Sequence, residues 1–328
     1  MTKIALLTTG GTISMKQASD NLAVPEAGGQ ELRSGLQLPD GIQLESIDVL
    51  KKPGAHLTFR DLIKLKEACD QAFEEGADGI VITHGTDTLE ETSYFLDLVT
   101  NNEKPIIVTG AQKNLSELQT DSIDNMQKAI LVAADPRNRN FGVQVVFADA
   151  ILSARDAIKT HSSAFNTFQP YGSMGTLGYV ANGKVIWHRQ IIRREYIGLG
   201  DEAHDSRVEA VEAYLGADGF LIDACIDKGV GGIVLQTVGA GHVPEVMVPS
   251  IERALAVGIP VVATKRPVQG ALFTNTYGFP GSESHLRELG VVFAEDLPTS
   301  KARVKLKVLL TQGMKLDAIR ENFEFNYY

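Results

Sequence analysis

Short apolar runs alternate with amphipathic ones along the first two-thirds of the chain. Residues 3–8, 79–83, 105–109 and 142–147 are rich in β-branched side chains and bounded by turn formers, the pattern of strands buried on both faces. Between them lie helical patterns. Leu62, Leu65, Cys69 and Ala72 recur at three- and four-residue steps within 61–73, and Leu89, Thr92, Phe95, Leu96 and Val99 do the same in the next segment. Strand–helix–strand alternation of this kind predicts an α/β fold with an open, mostly parallel sheet covered by helices.

The pattern breaks at 189–207, which is rich in charge and carries Gly198-Leu199-Gly200-Asp201 without a sustained period, so a linker is expected there. It divides a larger N-terminal domain (1–188) from a smaller C-terminal α/β domain (208–328). In the latter, 232–236, 259–264 and 290–294 read as strands, and 244–257 and 299–312 as helices, the second with Thr299 or Ser300 as its N-cap. The alternation Val304, Leu306, Val308, Leu310 fits a strand equally well. From Ile13 to about Glu45 there is little periodicity, which in a compact domain points to a functional loop such as a lid, or to disorder.

The 328-residue length favours two domains, and the 44% hydrophobic and 22% charged fractions suit a globular protein able to bury a large core without staples. Cys69 and Cys225 are far apart and read as reduced thiols, and the seven histidines never fall at metal-ligand spacing, so no metal and no cofactor are expected. The apolar run at the start stops at Leu7, too soon for a signal peptide, and no stretch is long enough to span a membrane. A cytoplasmic location is expected, and the net charge of −10 disfavours a nucleic-acid partner.

Ligands of open α/β sheets bind beyond the carboxyl ends of the strands. Polar clusters fall there: Thr8-Thr9-Gly10-Gly11-Thr12-Ile13, His84-Gly85-Thr86-Asp87-Thr88, Gly110-Ala111-Gln112 and, after the apolar 142–152 region, Asp156-Ala157-Ile158-Lys159-Thr160. Taken singly each has a bland explanation. The first is a glycine turn, matching neither a dinucleotide fingerprint nor a P-loop. The second caps a helix, with Asp87 and Glu90 at a capping-box-like spacing. Lys159 alone is a surface charge. Taken together they supply acyl-transfer chemistry. A threonine hydroxyl needs a proton acceptor, a lysine of lowered pKa can be one, a carboxylate can orient that lysine or hold a substrate ammonium, and glycines admit backbone N–H groups to a developing oxyanion.

Thr9-Gly10-Gly11-Thr12-Ile13 and His84-Gly85-Thr86-Asp87-Thr88 resemble the two signature motifs of the bacterial-type L-asparaginase/glutaminase family. The likeness runs on through Gly110-Ala111-Gln112, Lys159-Thr160, Gly239-Ala240-Gly241 and 297–305. The resemblance implies an amidohydrolase acting on the side-chain amide of asparagine, an amino-acid amide. It assigns Thr12 as nucleophile and Thr86, Asp87 and Lys159 as the supporting group. It also implies that Asp87 holds the substrate ammonium, that the Ala111 carbonyl lies near the leaving nitrogen, and that sites form between subunits of a homodimer or homotetramer.

Three positions depart from the family pattern. No tyrosine occurs before Tyr94, whereas the loop after Thr12 usually carries one; the matching stretch is Leu22-Ala23-Val24-Pro25. Ala55-His56 stands in place of a substrate-binding Ser-Gln pair, keeping a backbone contact at Ala55 and adding an imidazole able to reach the substrate. Ala240 replaces a partner-subunit asparagine, and Glu283 is matched to a partner-subunit acidic residue, with a solvated loop charge as the plainer reading. Three other functions remain open: a glutaminase-type activity, a tRNA-dependent amidotransferase subunit disfavoured by the acidic charge, and an asparagine- or aspartate-binding sensor without catalysis.

Overall fold

The computed structural model describes residues 1–17, 23–25, 29–172, 174–191, 195–201 and 206–324. Leu22, and 192–194 and 202–205 of the expected linker, lie outside the described residues. The chain divides into a first unit of Met1–Pro170 and Met174–Tyr196 and a second built from Ile197 onward together with Tyr171 and Gly172.

The first unit runs β1 (Thr2–Thr8), β2 (Met15–Gln17), β3 (Ala23–Pro25), α1 (Gly29–Ser34), β4 (Ile42–Asp48), α2 (Phe59–Glu74), β5 (Gly79–Thr83) and α3 (Leu89–Val99). It continues with β6 (Ile106–Thr109), α4 (Ser122–Ala134), β7 (Val143–Phe147), β8 (Ala150–Ser153), β9 (Ala157–Lys159), β10 (Phe168–Pro170), β11 (Gly178–Ala181) and β12 (Lys184–Trp187). Its main sheet has the order β12-β11-β8-β7-β6-β5-β1-β4. The five strands from β7 to β4 are parallel, and β8, β11 and β12 extend the sheet with antiparallel pairings.

Each central strand buries both faces, as its apolar sequence requires. Ile4, Leu6, Val81 and Ile107 join the core beneath α4 with Ala129, Ile130 and Ala133. The alternate residues Ala5, Leu7, Ile80, Ile82, Ile106 and Val108 are equally buried, and α2 and α3 pack on these strands. The strand β4 went unforeseen because it is an edge strand, half exposed, with the mixed sequence Ile-Gln-Leu-Glu-Ser-Ile-Asp. It fills the end of the stretch from Ile13 to Glu45 that shows no period in sequence.

After β1 the chain crosses to β4 at the edge, then returns through α2 to β5 on the other side of β1. Successive connections therefore leave β1 and β5 in opposite directions, which opens a crevice at the ends of these two strands. Two glycines let the loops there meet backbone to backbone. Gly11 has φ +79°, and a Cβ on it would lie 2.3 Å from both Cα and N of Gly85. A Cβ on Gly85 would lie 2.8 Å from the Gly54 nitrogen, so a third loop packs against the same spot.

The second unit contains β13 (Val208–Glu212), α5 (Phe220–Asp227), β14 (Gly232–Thr237), α6 (Val248–Ala256), β15 (Val261–Lys265), α7 (Glu283–Leu289), β16 (Val292–Phe293), α8 (Thr299–Thr311) and α9 (Leu316–Glu324). Its four strands are parallel in the order β13-β14-β15-β16. The 244–257 segment is a 3-10 turn, Glu245–Met247, followed by α6, and the ambiguous 299–312 segment is helical. Its strand-like alternation arises because α8 buries Lys301, Lys305 and Lys307 as well as its apolar residues. The Lys305 stem, for example, ends on the Asn322 carbonyl at 2.6 Å. The N-cap of α8 is Pro298, without a side-chain capping bond. Thr299 serves tertiary structure instead, accepting from Gln236 Nε2 at 2.9 Å and pairing with the Thr264 hydroxyl at 2.8 Å.

Gly11→Ala should cost about 2–4 kcal/mol, combining a left-handed backbone penalty with overpacking, and lower the melting temperature measurably. His84, at the end of β5, is fully buried; its Nδ1–H donates to the Gly85 carbonyl at 2.7 Å. Burial pushes its pKa down from 6.5 to about 4, against the opposing pull of the Gly85 carbonyl and Asp87. Between these values the unfolded chain takes up a proton that the folded chain refuses. The His84 contribution is therefore full above about pH 6.5 and falls by about 3 kcal/mol on descending to pH 4. Melting curves across that window should drop more steeply for the native protein than for His84→Asn; equal slopes would contradict the assignment.

Candidate active site

The loop after β1 commits two of its three threonines to structure. Thr8 Oγ1 donates to Asp48 Oδ1 at 2.8 Å, and Thr9 bonds the Thr83 carbonyl through both its backbone N–H, at 3.1 Å, and its hydroxyl, at 3.0 Å. Thr12 differs. It opens the 3-10 turn Thr12–Ser14 and is half-buried, and among the described residues its hydroxyl has no hydrogen-bond partner. The next residue, Ile13, is fully buried with Ala111, Leu32 and Met126, which anchors the turn.

The loop after β5 carries the second cluster. Thr86 is buried, and its Oγ1 accepts from Lys159 Nζ at 2.9 Å. The same ammonium donates to Asp87 Oδ1 at 2.9 Å. The sequence thus separates these residues by more than seventy positions and the fold brings them together. Asp87 is 64% exposed and Lys159 19% exposed, so the ion pair contributes at most about 1 kcal/mol of stability. What the pair supplies is geometry, a lysine nitrogen fixed on a buried hydroxyl beside a carboxylate open to solvent.

The capping-box reading of Asp87 and Glu90 is not what the fold shows. The N-cap of α3 is Thr88, with no side-chain capping bond. Asp87 and Glu90 instead take the two ends of Lys159, Glu90 Oε2 accepting its backbone N–H at 2.6 Å. Thr88 Oγ1 donates to the Gly54 carbonyl at 2.8 Å, which ties the Gly54–His56 turn to the same loop. Ala55 and His56 are exposed on that turn.

Ala111 is fully buried just past β6. Its neighbours are held by Asp121, whose carboxylate accepts from the amides of Gln112, at 3.0 Å, and Lys113, at 2.9 Å, and by Asn125, whose Nδ2 donates to the Gly110 carbonyl at 2.9 Å. Sequence reasoning missed Glu90, Thr88, Asp121 and Asn125 as supports. The spacing that exposes Glu90 was visible but read as a cap, while Asp121 and Asn125 lie beside no motif.

Glu283 belongs to the second unit. It begins α7 and is fully buried, which corrects the reading of a solvated loop charge. Its carboxylate accepts from the amides of Thr276, at 2.6 Å, and Tyr277, at 2.8 Å, and pairs with His242 Nε2 at 3.1 Å. Burial works to raise its pKa, but the bonds from Tyr277, Thr276 and His242 outweigh it and hold the group below the usual value. Cys69 and Cys225 are buried free thiols, each raised in pKa by burial. Among the described residues no His, Cys, Asp and Glu cluster is arranged to hold a metal ion, and no helix is long and apolar enough to cross a membrane.

Comparison with known proteins identifies the family. Residues 3–193 match the family model for the asparaginase N-terminal domain, and 207–323 that for the glutaminase/asparaginase C-terminal domain. The chain is 40% identical over 318 residues to L-asparaginase of Bacillus licheniformis, spanning 95% of this chain and 98% of that protein. It is 32% identical over 329 residues to the probable periplasmic L-asparaginase of Haemophilus influenzae, spanning 98% and 92%. The crystal structure of a probable cytoplasmic L-asparaginase from Campylobacter jejuni shares the fold with a TM-score of 0.85 at 30% identity, covering 99% of this chain and all of that one. With both domain models matched over nearly its whole length, the chain belongs to the asparaginase family of amidohydrolases.

Proposed function

We propose that the protein hydrolyses the side-chain amide of L-asparagine to L-aspartate and ammonia, with Thr12 as nucleophile and Thr86, Lys159 and Asp87 as the supporting group. The observation that carries the reading is a division of labour among hydroxyls. Among the described residues the Thr12 hydroxyl has no hydrogen-bond partner, and its loop packs directly against the loop of Thr86, whose own hydroxyl is joined to Lys159 Nζ at 2.9 Å.

In this mechanism Thr12 Oγ1 attacks the amide carbon and backbone N–H groups of the glycine loops stabilise the oxyanion. The Thr12 proton passes to the leaving nitrogen, the C–N bond breaks and ammonia departs, leaving an aspartyl ester on Thr12. Water then attacks the ester carbon. Its proton leaves through the Thr86–Lys159 pair, and the C–O bond to Thr12 breaks as the threonine recovers a proton. The exposed Asp87 holds the substrate ammonium. The Ala111 carbonyl lies near the leaving nitrogen, and the Gly54–His56 turn, through Ala55 and His56, contacts the substrate.

The reading includes a homodimer or homotetramer in which Glu283 of a partner copy completes the site, and a cytoplasmic location like that named for the Campylobacter jejuni protein. Because the Glu283 carboxylate already holds two amides of its own unit, its part in ligand binding is to shape that loop. Glutaminase activity is the second reading, favoured by the glutaminase/asparaginase description of the C-terminal match. One extra methylene is discriminated by only about 1–3 kcal/mol.

Ammonia release from L-asparagine, L-glutamine and D-asparagine tests the proposal. L-Asparagine should be the best substrate. Thr12→Ala should lower kcat about a thousandfold or more with an unchanged melting temperature, since the hydroxyl makes no hydrogen bond among the described residues. Lys159→Met should lower kcat about a hundredfold or more while the protein stays folded. Near-native turnover in either variant contradicts its assigned role, and folded native protein that binds asparagine yet releases no ammonia would be a sensor.

A further inference from the structure

The segment from Thr86 to Glu90 meets Lys159 at both ends. Thr86 Oγ1 and Asp87 Oδ1 accept from its Nζ, and Glu90 Oε2 accepts from its backbone N–H at 2.6 Å, the shortest of the three contacts. The backbone contact matters because of where the lysine sits. Its strand, β9, is three residues long and belongs to a two-stranded ribbon with β10, outside the eight-stranded sheet. Along that ribbon the next amide, Thr160 N–H, bonds the Thr167 carbonyl at 2.8 Å, whereas the Lys159 amide is turned to Glu90. The main sheet thus positions Thr86 but does not directly position Lys159.

We infer that Glu90 is a positioning residue for the reaction, clamping the Lys159 backbone to α3 so that Nζ stays within proton-transfer reach of Thr86. The inference rests on the Lys159 and Thr86 roles proposed above. Proton transfer requires heavy atoms about 2.6–3.2 Å apart, and the observed 2.9 Å leaves little slack. A shift of the ribbon by about 1 Å would carry Nζ out of range and reduce turnover up to about a hundredfold. A long, freely rotating lysine side chain cannot by itself hold such a distance, so fixing its backbone is the economical solution. Glu90 is also well placed to do so as a carboxylate. It lies in the first turn of α3, where the helix dipole favours negative charge, and a charged acceptor strengthens the bond to an amide.

Three substitutions separate the clamp from a general charge effect and from helix capping. Glu90→Gln keeps the length and an acceptor oxygen, and should retain turnover within about threefold of native. Glu90→Asp keeps the charge but falls one methylene short, and Glu90→Ala removes both; each should lower kcat about tenfold or more with KM changed less than about twofold. Melting temperatures report whether each variant is folded, and the Gln and Asp variants carry the test if the Ala variant is not. Native-like kcat in Glu90→Asp would mean that charge alone suffices and would overturn the clamp. So would a Glu90→Gln enzyme as slow as Glu90→Ala, or a Glu90→Ala enzyme as fast as native. If Lys159→Met is inactive while Glu90→Ala is native-like, only the Glu90 inference fails. If Lys159→Met itself turns over normally, the lysine role fails and the clamp with it.

Discussion

The contact between Gly11 and Gly85 is the constraint on which the rest of the site depends. Two adjacent parallel strands, β1 and β5, send their chains in opposite directions at their carboxyl ends, and the opening so formed is too tight for side chains at its floor. With glycine on both sides the two backbones touch, and Gly54 brings a third loop to the same point. The residues that follow, Thr12 and Thr86, are then held on mutually packed loops that leave neighbouring strands of the sheet. Preorganisation of this kind is what acyl transfer needs, since reacting groups must already be oriented before charge develops.

A second layer of hydrogen bonds, most of them partly buried, ties the residues of the candidate site to the framework. Asp121 and Asn125, at the start of α4, hold the loop around Ala111. Thr88 holds the turn of Ala55 and His56. Lys159, which comes from a short ribbon rather than from the sheet, is gripped at its ammonium and at its amide. The ion pair with Asp87 is too exposed to stabilise the protein much, so what it supplies is the orientation of the lysine rather than folding energy. His84 shows the reverse case. It is buried and neutral beside the site, and its presence makes the fold more sensitive to acid.

Much of this was legible in the sequence because the signals are local. The buried strands of the first unit are nearly continuous apolar runs, α2 and α3 have clear helical periods, and the threonine and glycine clusters follow strands where ligand sites form. What was not legible depends on tertiary context. The strand β4 is half exposed and has no hydrophobic run to mark it. The helix α8 buries lysines whose alternation with apolar residues imitates a strand, and Thr299 reads as a cap but bonds across to Gln236 and Thr264. Glu283 looks like a loop charge and is fully buried, because two backbone amides and an imidazole replace its water. Glu90 has the spacing of a capping residue, and only the folded chain shows that its partner lies at Lys159.

The most direct test of the account is to locate the covalent intermediate. Protein mixed with L-asparagine, quenched in acid during turnover and digested with trypsin, should carry an aspartyl ester on the peptide containing Thr12, identified by tandem mass spectrometry. The peptide containing Thr86 should be unmodified, and the adduct should accumulate further in Lys159→Met, where attack of water on the ester is impaired. An ester on Thr86 with Thr12 unmodified would reverse the assignment of nucleophile and contradict the central claim.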